Sequence, residues 1–397
     1  MMPRIRVALI GLSASAVTTW AGDAHLPYIL SPIGRKHYEL VALLNSSVAA
    51  GEASKQHFNL PSTVKAYGDS NALAQDPEID LVVCCTRADV HYPTTAPSLR
   101  AGKTVFVEWP LAENVARAKK LVVMAKKFGA DTSKCIIGLQ GRIAPTTICI
   151  KEVLASGIIG SVLSSDVTCF GHLLPRDGLP ESLAYFADLS VGGNAITIEN
   201  GHCLDYIHSV LGEFETFNAR MQIQRPKLDS LDTDGSKKGS LISTTPDLLS
   251  LHGTLKTSNG KVKVVKGATL SETFRTGPPF KGHPAVRWSI NGSKGELLIT
   301  IQGHYLHSHT TDPITLSHHD HATEKMVELK WDWAEWQKEL PVRSRMTAEL
   351  YERYAEWVEG GKGEVKEGRE WPNLDDAVVR MEEFAGIFRQ FDDDIAS

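Results

Sequence analysis

The stretch Arg4-Ile5-Arg6-Val7-Ala8-Leu9-Ile10-Gly11-Leu12-Ser13-Ala14-Ser15-Ala16 decides the fold. An apolar run over Ile5–Ile10 stops at Gly11 and passes into small residues that are typical of the start of a helix. This order predicts the strand-to-helix turn of a dinucleotide site, where backbone N–H groups and a helix N-terminus face a pyrophosphate. Ser13 and Ala16 stand where the glycine motif has its second and third glycines. The motif alone therefore leaves an ordinary buried first strand as an equal alternative.

Four further apolar runs repeat this pattern, and each is separated from the next by a segment with helix-forming character. They are Glu39 to Leu44, Leu81 to Thr86, Thr104 to Val107 and Cys135 to Leu139. Strands that alternate with helices in this way predict an α/β Rossmann domain, a doubly wound parallel sheet, over residues 1–145. The carboxyl ends of its strands line one edge, where ligands bind in such folds. That edge holds Gly11, Asn45, Thr86, Glu108 and Gln140.

The exit of the second strand bears on the choice of cofactor. Asn45, Ser46 and Ser47 follow it, and none of them is acidic or basic. An acidic residue at this place binds the ribose 2′-hydroxyl of NAD and would repel a 2′-phosphate. Since no carboxylate is present, the sequence favours NADP over NAD.

The pattern changes after about Thr146. A helix is expected over Ala195 to Leu211, and the polar segment Arg225 to Asp247 is expected to be a surface loop. Antiparallel strands are expected over Leu249 to Leu255, Lys261 to Lys266, Ala285 to Ile290 and Glu296 to Ile301, with helices at the end of the chain. Residues 146–397 are thus predicted to form an α+β domain with a largely antiparallel open sheet, which binds substrate or a second copy.

Composition excludes several classes of function. The chain of 397 residues has a net charge of −5 and no block of basic residues, which argues against direct binding of nucleic acid. Its six cysteines form no C-x-x-C pair, and no signal segment or membrane span is expected, so the predicted location is cytoplasmic. No metal site is predicted. The six histidines between His304 and His321 lack a closed set of four ligands.

Several short motifs carry a resemblance to a known family. They are Glu108-Trp109-Pro110, Arg142 with Pro145, Gly192-Gly193 followed by His202, and Asp205. By these the chain resembles the glucose–fructose oxidoreductase / inositol dehydrogenase / MocA family. Phe106-Val107-Glu108-Trp109, Leu139-Gln140-Gly141-Arg142 and Gly201-His202 are most similar to the branch of the fungal galactose-regulon repressor and its oxidoreductase-like relatives. The resemblance implies nucleotide binding by the first domain and a homodimer formed through the open sheet.

Two positions depart from the family pattern. The family's lysine is Trp109 here, and the aspartate four residues before the histidine is Ile198. Oxidation of an alcohol needs a group that takes the hydroxyl proton, and an indole N–H can only donate. His202 is then the remaining acid/base at a family position. Glu199, three residues earlier on the predicted helix, would share its face and could hydrogen-bond to it.

The other candidates keep two interpretations each. Glu108 orients groups near the nicotinamide or caps the next helix. Trp109 forms an apolar wall against nicotinamide or substrate, or anchors a domain interface. Arg142 pairs with a phosphate or a carboxylate, an interdomain salt bridge being the first choice. The predicted cofactor-binding residues are Gly11, Ser13, Ala16, Asn45, Ser46, Thr86, His91, Glu108, Trp109 and Arg142, and the predicted catalytic residues are His202 and Glu199.

The predicted function is that of an NAD(P)-dependent oxidoreductase acting on a small hydroxylated or carbonyl compound. Because the lysine is absent, the substrate is expected to differ from a simple sugar and to be an intermediate of a specialised pathway. The alternative comes from another class of protein. It is a non-catalytic, NAD(P)-sensing transcriptional regulator that binds a partner protein.

Overall fold

A computed structural model describes residues 3–16, 19–171, 174–303 and 310–396. The chain divides into two compact units. The first combines Met1–Gln140 with Ser190–Gly193 and Ala334–Glu382, and the second combines Gly141–Leu189 with Asn194–Trp333 and Glu383–Ser397. The chain thus returns to the first unit near its end. The predicted domain boundary after residue 145 stays a prediction.

The first unit is built on a six-stranded parallel sheet in the order β3-β2-β1-β4-β5-β6. Its strands are β1 (Ile5–Ile10), β2 (Tyr38–Leu44), β3 (Lys65–Tyr67), β4 (Leu81–Cys84), β5 (Thr104–Val107) and β6 (Ile136–Ile137). Both neighbours of β1 run parallel to it, with Val7 opposite Leu40 on one side and Leu81 on the other. Continuous apolar runs fill the centre of this sheet because helices cover both faces of such sheets. The predicted Rossmann architecture is confirmed.

Helices of the first unit connect these strands and add a late segment. They are α1 (Leu26–Leu30), α2 (Gly34–His37), α3 (Val48–His57), α4 (Ser70–Gln75), α5 (Ala88–Arg100), α6 (Val115–Lys127), α9 (Glu335–Lys338) and α10 (Val342–Glu359). In α10, the Ser344 hydroxyl donates to the carbonyl of Ala24 at 2.7 Å, and the Tyr351 carbonyl accepts from the Tyr38 hydroxyl at 2.6 Å. The late segment is therefore part of the first unit's core.

The first helix begins later than the sequence predicts. Residues 11–16 form a loop with a turn, and a short π-helix, Ala21–His25, precedes α1. Thr19 starts this helix because its hydroxyl accepts from the N–H of Gly22 at 3.1 Å. Pro27 lies at the junction where the π-helix continues into α1. The small residues over 11–16, which are typical of the start of a helix, thus belong to a loop, and that expectation was wrong.

The second unit contains a largely antiparallel sheet in the order β18-β17-β16-β15-β7-β14-β12-β9, with β13 beside β14. Its strands are β7 (Val162–Gly171), β9 (Phe214–Gln222), β12 (Leu248–Leu255), β13 (Ser258–Asn259), β14 (Lys263–Thr276), β15 (Val286–Gly292), β16 (Gly295–Ile301), β17 (Ile314–Asp320) and β18 (Lys325–Leu329). The pair β7 and β14 is parallel, and the other pairs are antiparallel. The predicted α+β architecture is confirmed.

A small sheet replaces the predicted loop over residues 225–247. It consists of β8 (Gly178–Pro180), β10 (Lys227–Leu231) and β11 (Lys237–Ile242) in the order β11-β10-β8. The turn between β10 and β11 closes through Gly235, whose φ of +81° suits a glycine. Polar residues dominate this segment because most of the hairpin is exposed. Such a polar composition is also typical of loops, and the prediction of a surface loop over residues 225–247 was wrong.

The predicted helix over residues 195–211 is formed in two geometries. A π-helix, Ala195–Asn200, continues directly into α8 (Gly201–Leu211). Asn194 caps it, because its side-chain oxygen accepts from the N–H of Thr197 at 3.0 Å while its own N–H donates to the Thr197 hydroxyl. The remaining helices are α7 (Pro145–Ala155) and α11 (Leu374–Ala396). Over the described residues, every helix falls short of the length or the apolar character needed to span a bilayer.

Candidate functional site

Gly11 ends β1 at the edge formed by the carboxyl ends of the parallel strands. Its φ is +92°, a conformation that favours glycine. A Cβ here would lie 2.9 Å from the carbonyl oxygen of Cys85 and from Cγ2 of Thr86. Its N–H donates to the carbonyl of Leu44 at 3.1 Å. Glycine is therefore required on both conformational and steric grounds, because the chain itself fills the space where a side chain would lie.

Side chains hold the rest of this loop, where the motif would have used glycines. The hydroxyls of Ser13 and Ser15 are 3.2 Å apart, and the N–H of Ser15 donates to Ser13 Oγ at 3.3 Å. Ala16 is exposed and precedes the first helix. The predicted positions Ser13 and Ala16 thus belong to a loop that is longer than the glycine motif implies.

Asn45 fastens the end of β2 to that loop. Its Nδ2 donates to the carbonyl of Leu12 at 2.7 Å, while its Oδ1 is buried and has no hydrogen-bond partner within the described part of the chain. Ser46 beside it is exposed. The structure thus brings Gly11 and Asn45 to one end of the sheet.

Thr86 and His91 lie at the end of β4 and the start of α5. The His91 ring is buried, with Nδ1 2.8 Å from the carbonyl of Pro110 and Nε2 2.9 Å from that of Thr86. Burial lowers the pKa of His91. The neutral ring donates to one of these two carbonyls at a time and ties together two strand ends. Both ring nitrogens of His91 contact backbone carbonyls, so His91 stabilises the structure of this edge of the sheet.

Glu108 at the end of β5 forms a buried chain of polar contacts with His25 and Tyr351. Its Oε1 lies 2.8 Å from His25 Nε2, and His25 Nδ1 lies 2.8 Å from the Tyr351 hydroxyl. Both partners are fully buried. Burial raises the pKa of Tyr351, so the phenol stays neutral. The other oxygen of Glu108 packs against Gly138. A Cβ at residue 138 would lie 2.2 Å from Glu108 Oε2.

Trp109 follows Glu108 and is 5% exposed. The peptide bond between Trp109 and Pro110 is cis. The structure thus places a large apolar ring, with no acid or base function, where the family has its lysine. Its predicted contact with nicotinamide or substrate stays a prediction.

Arg142 and Asp205 form a bidentate pair in the second unit. Arg142 Nε and Nη2 each lie 2.8 Å from one oxygen of Asp205, which is buried on α8. This geometry is the strong form of an arginine–carboxylate contact. The sequence favoured an interdomain salt bridge for Arg142, but Asp205, the carboxylate that engages it here, belongs to the same unit. The role of Arg142 toward a cofactor stays a prediction.

His202 and Glu199 lie on the run of helix that starts at Asn194. His202 is the second residue of α8 and is 5% exposed. Glu199 lies within the π-helix, where the wider turn changes the angle between residues three apart. Its Oε2 would lie 2.3 Å from a Cβ on Gly171, at the end of β7. The carboxyl therefore points at this strand end.

Glu199 makes no hydrogen bond to His202. Its Oε2 has no partner among the described residues, and burial raises its pKa to about 8. The Glu199 carboxyl is therefore protonated and uncharged in the protein interior at neutral pH. The predicted hydrogen bond between the two side chains was wrong because the π-helix turns Glu199 toward the sheet.

One group of described residues brings possible metal ligands together, namely His208, Glu213 and Glu383. His208 Nδ1 lies 2.8 Å from the carbonyl of Gly212, and Nε2 lies 2.9 Å from Glu383 Oε1. Both ring nitrogens are thus engaged with the protein itself. His304, His307 and His309 of the histidine-rich segment lie outside the described residues.

Sequence reasoning missed His25 and Tyr351. They are 83 and 326 residues from their partners in the chain of contacts to Glu108, and no local pattern connects them. The sequence contained one indirect signal for such partners. Glu108 ends an apolar strand and needed a buried partner.

The residues of the first unit fit an NAD(P) nucleotide at this edge. The tight turn at Gly11, with its φ of +92°, fits the start of a nucleotide loop, and Asn45 Oδ1, which has no partner among the described residues, offers an acceptor close to that loop. Asn45 carries no charge that would repel a 2′-phosphate. His202 in the second unit carries an imidazole, the side chain that most often serves as a general acid or base.

Comparison with known protein families and structures supports this picture. Residues 5–133 match the family described as "Oxidoreductase family, NAD-binding Rossmann fold", and residues 145–301 match "Gal80p, C-terminal domain". In solved structures, a super-repressor mutant of Gal80p from Saccharomyces cerevisiae aligns over 98% of this chain and 96% of its own, with a TM-score of 0.83 and 24% identity. Levoglucosan dehydrogenase aligns with a TM-score of 0.74 and 16% identity, over 98% of this chain and 97% of its own. These two likenesses show the fold.

Two relatives cover most of the sequence. Dehydrogenase aclE of Aspergillus oryzae is 31% identical over 313 residues, which are 79% of this chain and 81% of that protein. The galactose/lactose metabolism regulatory protein GAL80 of Saccharomyces cerevisiae is 29% identical over 302 residues, 74% of this chain and 66% of that protein. The chain therefore belongs to the glucose–fructose oxidoreductase / inositol dehydrogenase / MocA family of NAD-binding oxidoreductases, and its second part is of the Gal80 type.

Proposed function

We propose that this chain is an NAD(P)-dependent oxidoreductase that acts on a small hydroxylated or carbonyl compound, through an active site in which Trp109 takes the place of the family lysine. The observation that carries this proposal is the retention of His202 at the family position, buried at the start of α8, on the helix that Arg142 clamps through Asp205. The similarity to dehydrogenase aclE supports the oxidoreductase class.

The residues of the first unit have the role of binding and orientation. Gly11 would form the tight turn from which the loop reaches the nucleotide phosphates, with Ser13, Ala16 and Thr86 around them. Glu108, fixed by His25, would orient polar groups at the end of β5. Trp109 would form an apolar wall that excludes water from the reacting centre. When bound, the nicotinamide ring supplies the hydride acceptor or donor.

His202 would hold or release the proton of the substrate hydroxyl. A histidine suits this step because its pKa in water lies near neutral pH, so that both forms are accessible. Glu199 lies apart from this proton, since its carboxyl points at Gly171. We assign Glu199 a positioning role and keep His202 as the acid/base. Such a step commonly contributes on the order of a hundredfold or more to the rate.

The cofactor preference follows from the exit of β2. Asn45 donates its amide to the loop, and Ser46 beside it is exposed, so no carboxylate opposes a 2′-phosphate. We propose that NADP is bound more tightly than NAD. No arginine follows β2 directly, so the expected preference is modest.

A titration followed by turnover tests the proposal. NADP and NAD are added while protein fluorescence is recorded for the native protein and for Trp109→Phe, and the change is expected to shrink in the variant. A panel of alcohols and carbonyl compounds is then screened for absorbance change of the nicotinamide. His202→Ala should lower kcat by about a hundredfold or more. His252→Ala, on the exposed face of β12, is the matched control and should leave kcat unchanged.

A second function is favoured by the presence of Trp109 in place of the family lysine. It is also favoured by the similarity of residues 145–301 to the C-terminal domain of Gal80p. In it, the chain binds NAD(P) without turning over any substrate and passes the nucleotide state to a partner protein. Micromolar nucleotide binding together with no turnover across the panel would select this regulator. Absence of binding for both nucleotides would contradict both functions.

We propose a homodimer formed through the open sheet of the second unit. The outward side chains of its strands are largely polar and partly exposed, for example Thr300 and Thr315, whose hydroxyls are 2.6 Å apart. Sedimentation velocity over a range of concentrations gives the mass directly. A single monomeric species at every concentration would contradict the dimer.

A further inference from the structure

A pocket that is partly open to solvent lies within the second unit beside the small sheet β8-β10-β11. Leu174, Leu179, Phe186 and Leu228 form its apolar side. Leu174 and Leu179 belong to a buried cluster against which Phe186 and Leu228 pack. The apolar side suits a compact hydrocarbon group.

The polar side of the same pocket contains two arginines, Arg176 and Arg225, together with Asp247 and the hydroxyl residues Ser243 and Thr245. Arg176 donates through Nη2 to the backbone carbonyls of Pro278 and Pro279, at 3.0 and 3.4 Å. It forms no ion pair with a carboxylate in the described part of the chain. Backbone carbonyls hold this guanidinium in place but leave its positive charge unbalanced.

Arg225 is held by two aspartates. Its Nε lies 2.8 Å from Asp177 Oδ1, and its Nη1 lies 4.0 Å from Asp247 Oδ2. Both oxygens of Asp247 already accept backbone N–H groups, those of Gln224 and Arg225. The terminal nitrogens of Arg225 therefore keep donor capacity on the pocket side.

A third arginine stands next to the pair. Arg275 donates to the carbonyls of Thr276 and Pro278 and lies over the ring of Phe170, at 4.4 Å from its centroid. Burial, together with the positive charges of Arg176 and Arg225, lowers the pKa of Arg275. Three guanidiniums thus face two carboxylates, Asp177 and Asp247. The cluster keeps a net charge of about +1 beside an apolar wall.

We propose that this pocket binds a compact amphipathic carboxylate, with its carboxyl group on Arg176 and Arg225 and its hydrocarbon part against Leu179 and Phe186. Arginine forks match the geometry of a carboxylate, and the apolar side selects against small inorganic anions. The site goes beyond the proposed hydride transfer, because it needs no nucleotide. Its ligand has two sources, a substrate that the chain turns over or a carboxylate that binds without reaction.

The test uses benzoate as the probe and benzamide as its neutral counterpart of the same shape. Binding is measured by calorimetry on the full chain without nucleotide. Benzoate is expected to bind with one site per chain and at least about tenfold more tightly than benzamide, and added salt should weaken only benzoate. Equal affinities for the two compounds, or no saturable binding at millimolar benzoate, would overturn the proposal.

Four variants locate the site. Arg176→Gln and Arg225→Gln should each weaken benzoate binding about tenfold and leave benzamide unchanged. Asp177→Asn should strengthen benzoate binding by about threefold, because it removes an exposed competitor for Arg225. Arg287→Gln, an exposed arginine on β15 away from the pocket, is the matched control and should change nothing. Affinities that are the same in all four variants would contradict the assignment.

The two sources of ligand are distinguished by adding NAD(P) to the protein with benzoate bound. The same addition is then made to the protein with bound benzoate analogues that carry a hydroxyl or a carbonyl group. Turnover that is lost in Arg225→Gln identifies the substrate, and tight binding without turnover identifies a non-reacting ligand. Loss of benzoate binding with intact nucleotide binding contradicts this inference alone. Loss of nucleotide binding with intact benzoate binding contradicts the proposed function alone.

Discussion

In the first unit the buried carboxylate of Glu108 lies 2.8 Å from His25, which in turn contacts the Tyr351 hydroxyl. In the second unit the buried carboxyl of Glu199 has an oxygen with no hydrogen-bond partner among the described residues. Both side chains are at least nine-tenths removed from water. Desolvation acts on both, and only the first is offset by a nearby ring that can donate.

This difference separates two ways of using a buried acid. Glu108 with its histidine is a fixed acceptor, suited to positioning a ligand at the end of a strand. Glu199 holds a proton to about pH 8, so in neutral solution it adds no charge to the helix that carries His202. In the α-helix that continues this run, Asp205 is paired with Arg142, so a buried carboxylate of the second unit can also be held as the charged form.

The largest expected effect comes from breaking the pair on α8. Arg142→Gln leaves the Asp205 carboxylate, which is 1% exposed, without its bidentate partner. The free energy of unfolding should fall by about 3–5 kcal/mol, as measured by urea denaturation. The control is Arg4→Gln, whose ion pair with Glu39 at 2.7 Å is about half exposed, and it should cost less than about 1 kcal/mol. Similar losses in the two variants would show that Asp205 is solvated.

The next effect tests the strand end of the first unit. Gly11→Ala should lower the free energy of unfolding by about 3 kcal/mol, because a Cβ would meet Cys85 and Thr86 at 2.9 Å in addition to the unfavourable φ. Gly129→Ala has a similar φ of +80° but open space around the new atom, and should cost about 1 kcal/mol. Nucleotide affinity should fall only in Gly11→Ala. Equal behaviour of the two alanine variants would exclude a close-packed cradle.

Local sequence patterns predicted much of this edge. Gly11, Asn45, Thr86 and Glu108 all follow apolar runs, and parallel strands bring their ends together. His202 was found only through resemblance to a family, since a histidine on an apolar helix is more often structural. The residues that could be predicted are those whose positions depend on strand order or on short sequence motifs.

The partners of these residues could not be predicted, because they depend on contacts between distant parts of the chain. Tyr351 reaches the first unit from a helix 326 residues beyond His25. The π-helix that turns Glu199 away from His202 differs from an α-helix by one residue in its hydrogen bonding, which apolar spacing does not reveal. The polar hairpin of β10 and β11 imitated a loop because its strands are exposed.

A pH series tests the unpaired state of Glu199. Its folded pKa of about 8 lies above the ordinary 4.5, so the folded state binds more protons and stability falls as the pH rises from about 4.5 to about 8. In Glu199→Gln this part of the slope disappears. Native protein should lose about 1 kcal/mol more than the variant for each pH unit in that range, in urea unfolding at both ends of it. Parallel slopes would mean that the carboxyl finds a partner in solution.

The smallest expected effect has the opposite sign and comes from the first unit. Burial alone would raise the pKa of Asp76, but hydrogen bonds from Lys65 at 2.7 Å and Tyr67 at 2.7 Å outweigh it and hold the pKa at about 2. The stability that Asp76 adds is therefore present above about pH 4 and is lost as the pH falls toward 2. Asp76→Asn should cost about 1 kcal/mol at neutral pH and almost nothing near pH 2, in the same unfolding assay. The Glu199→Gln series is its control, because one carboxyl is stabilised as the charged form and the other as the acid. If both variants changed the slope in the same direction, pairing would not be what distinguishes the buried acids of the two units.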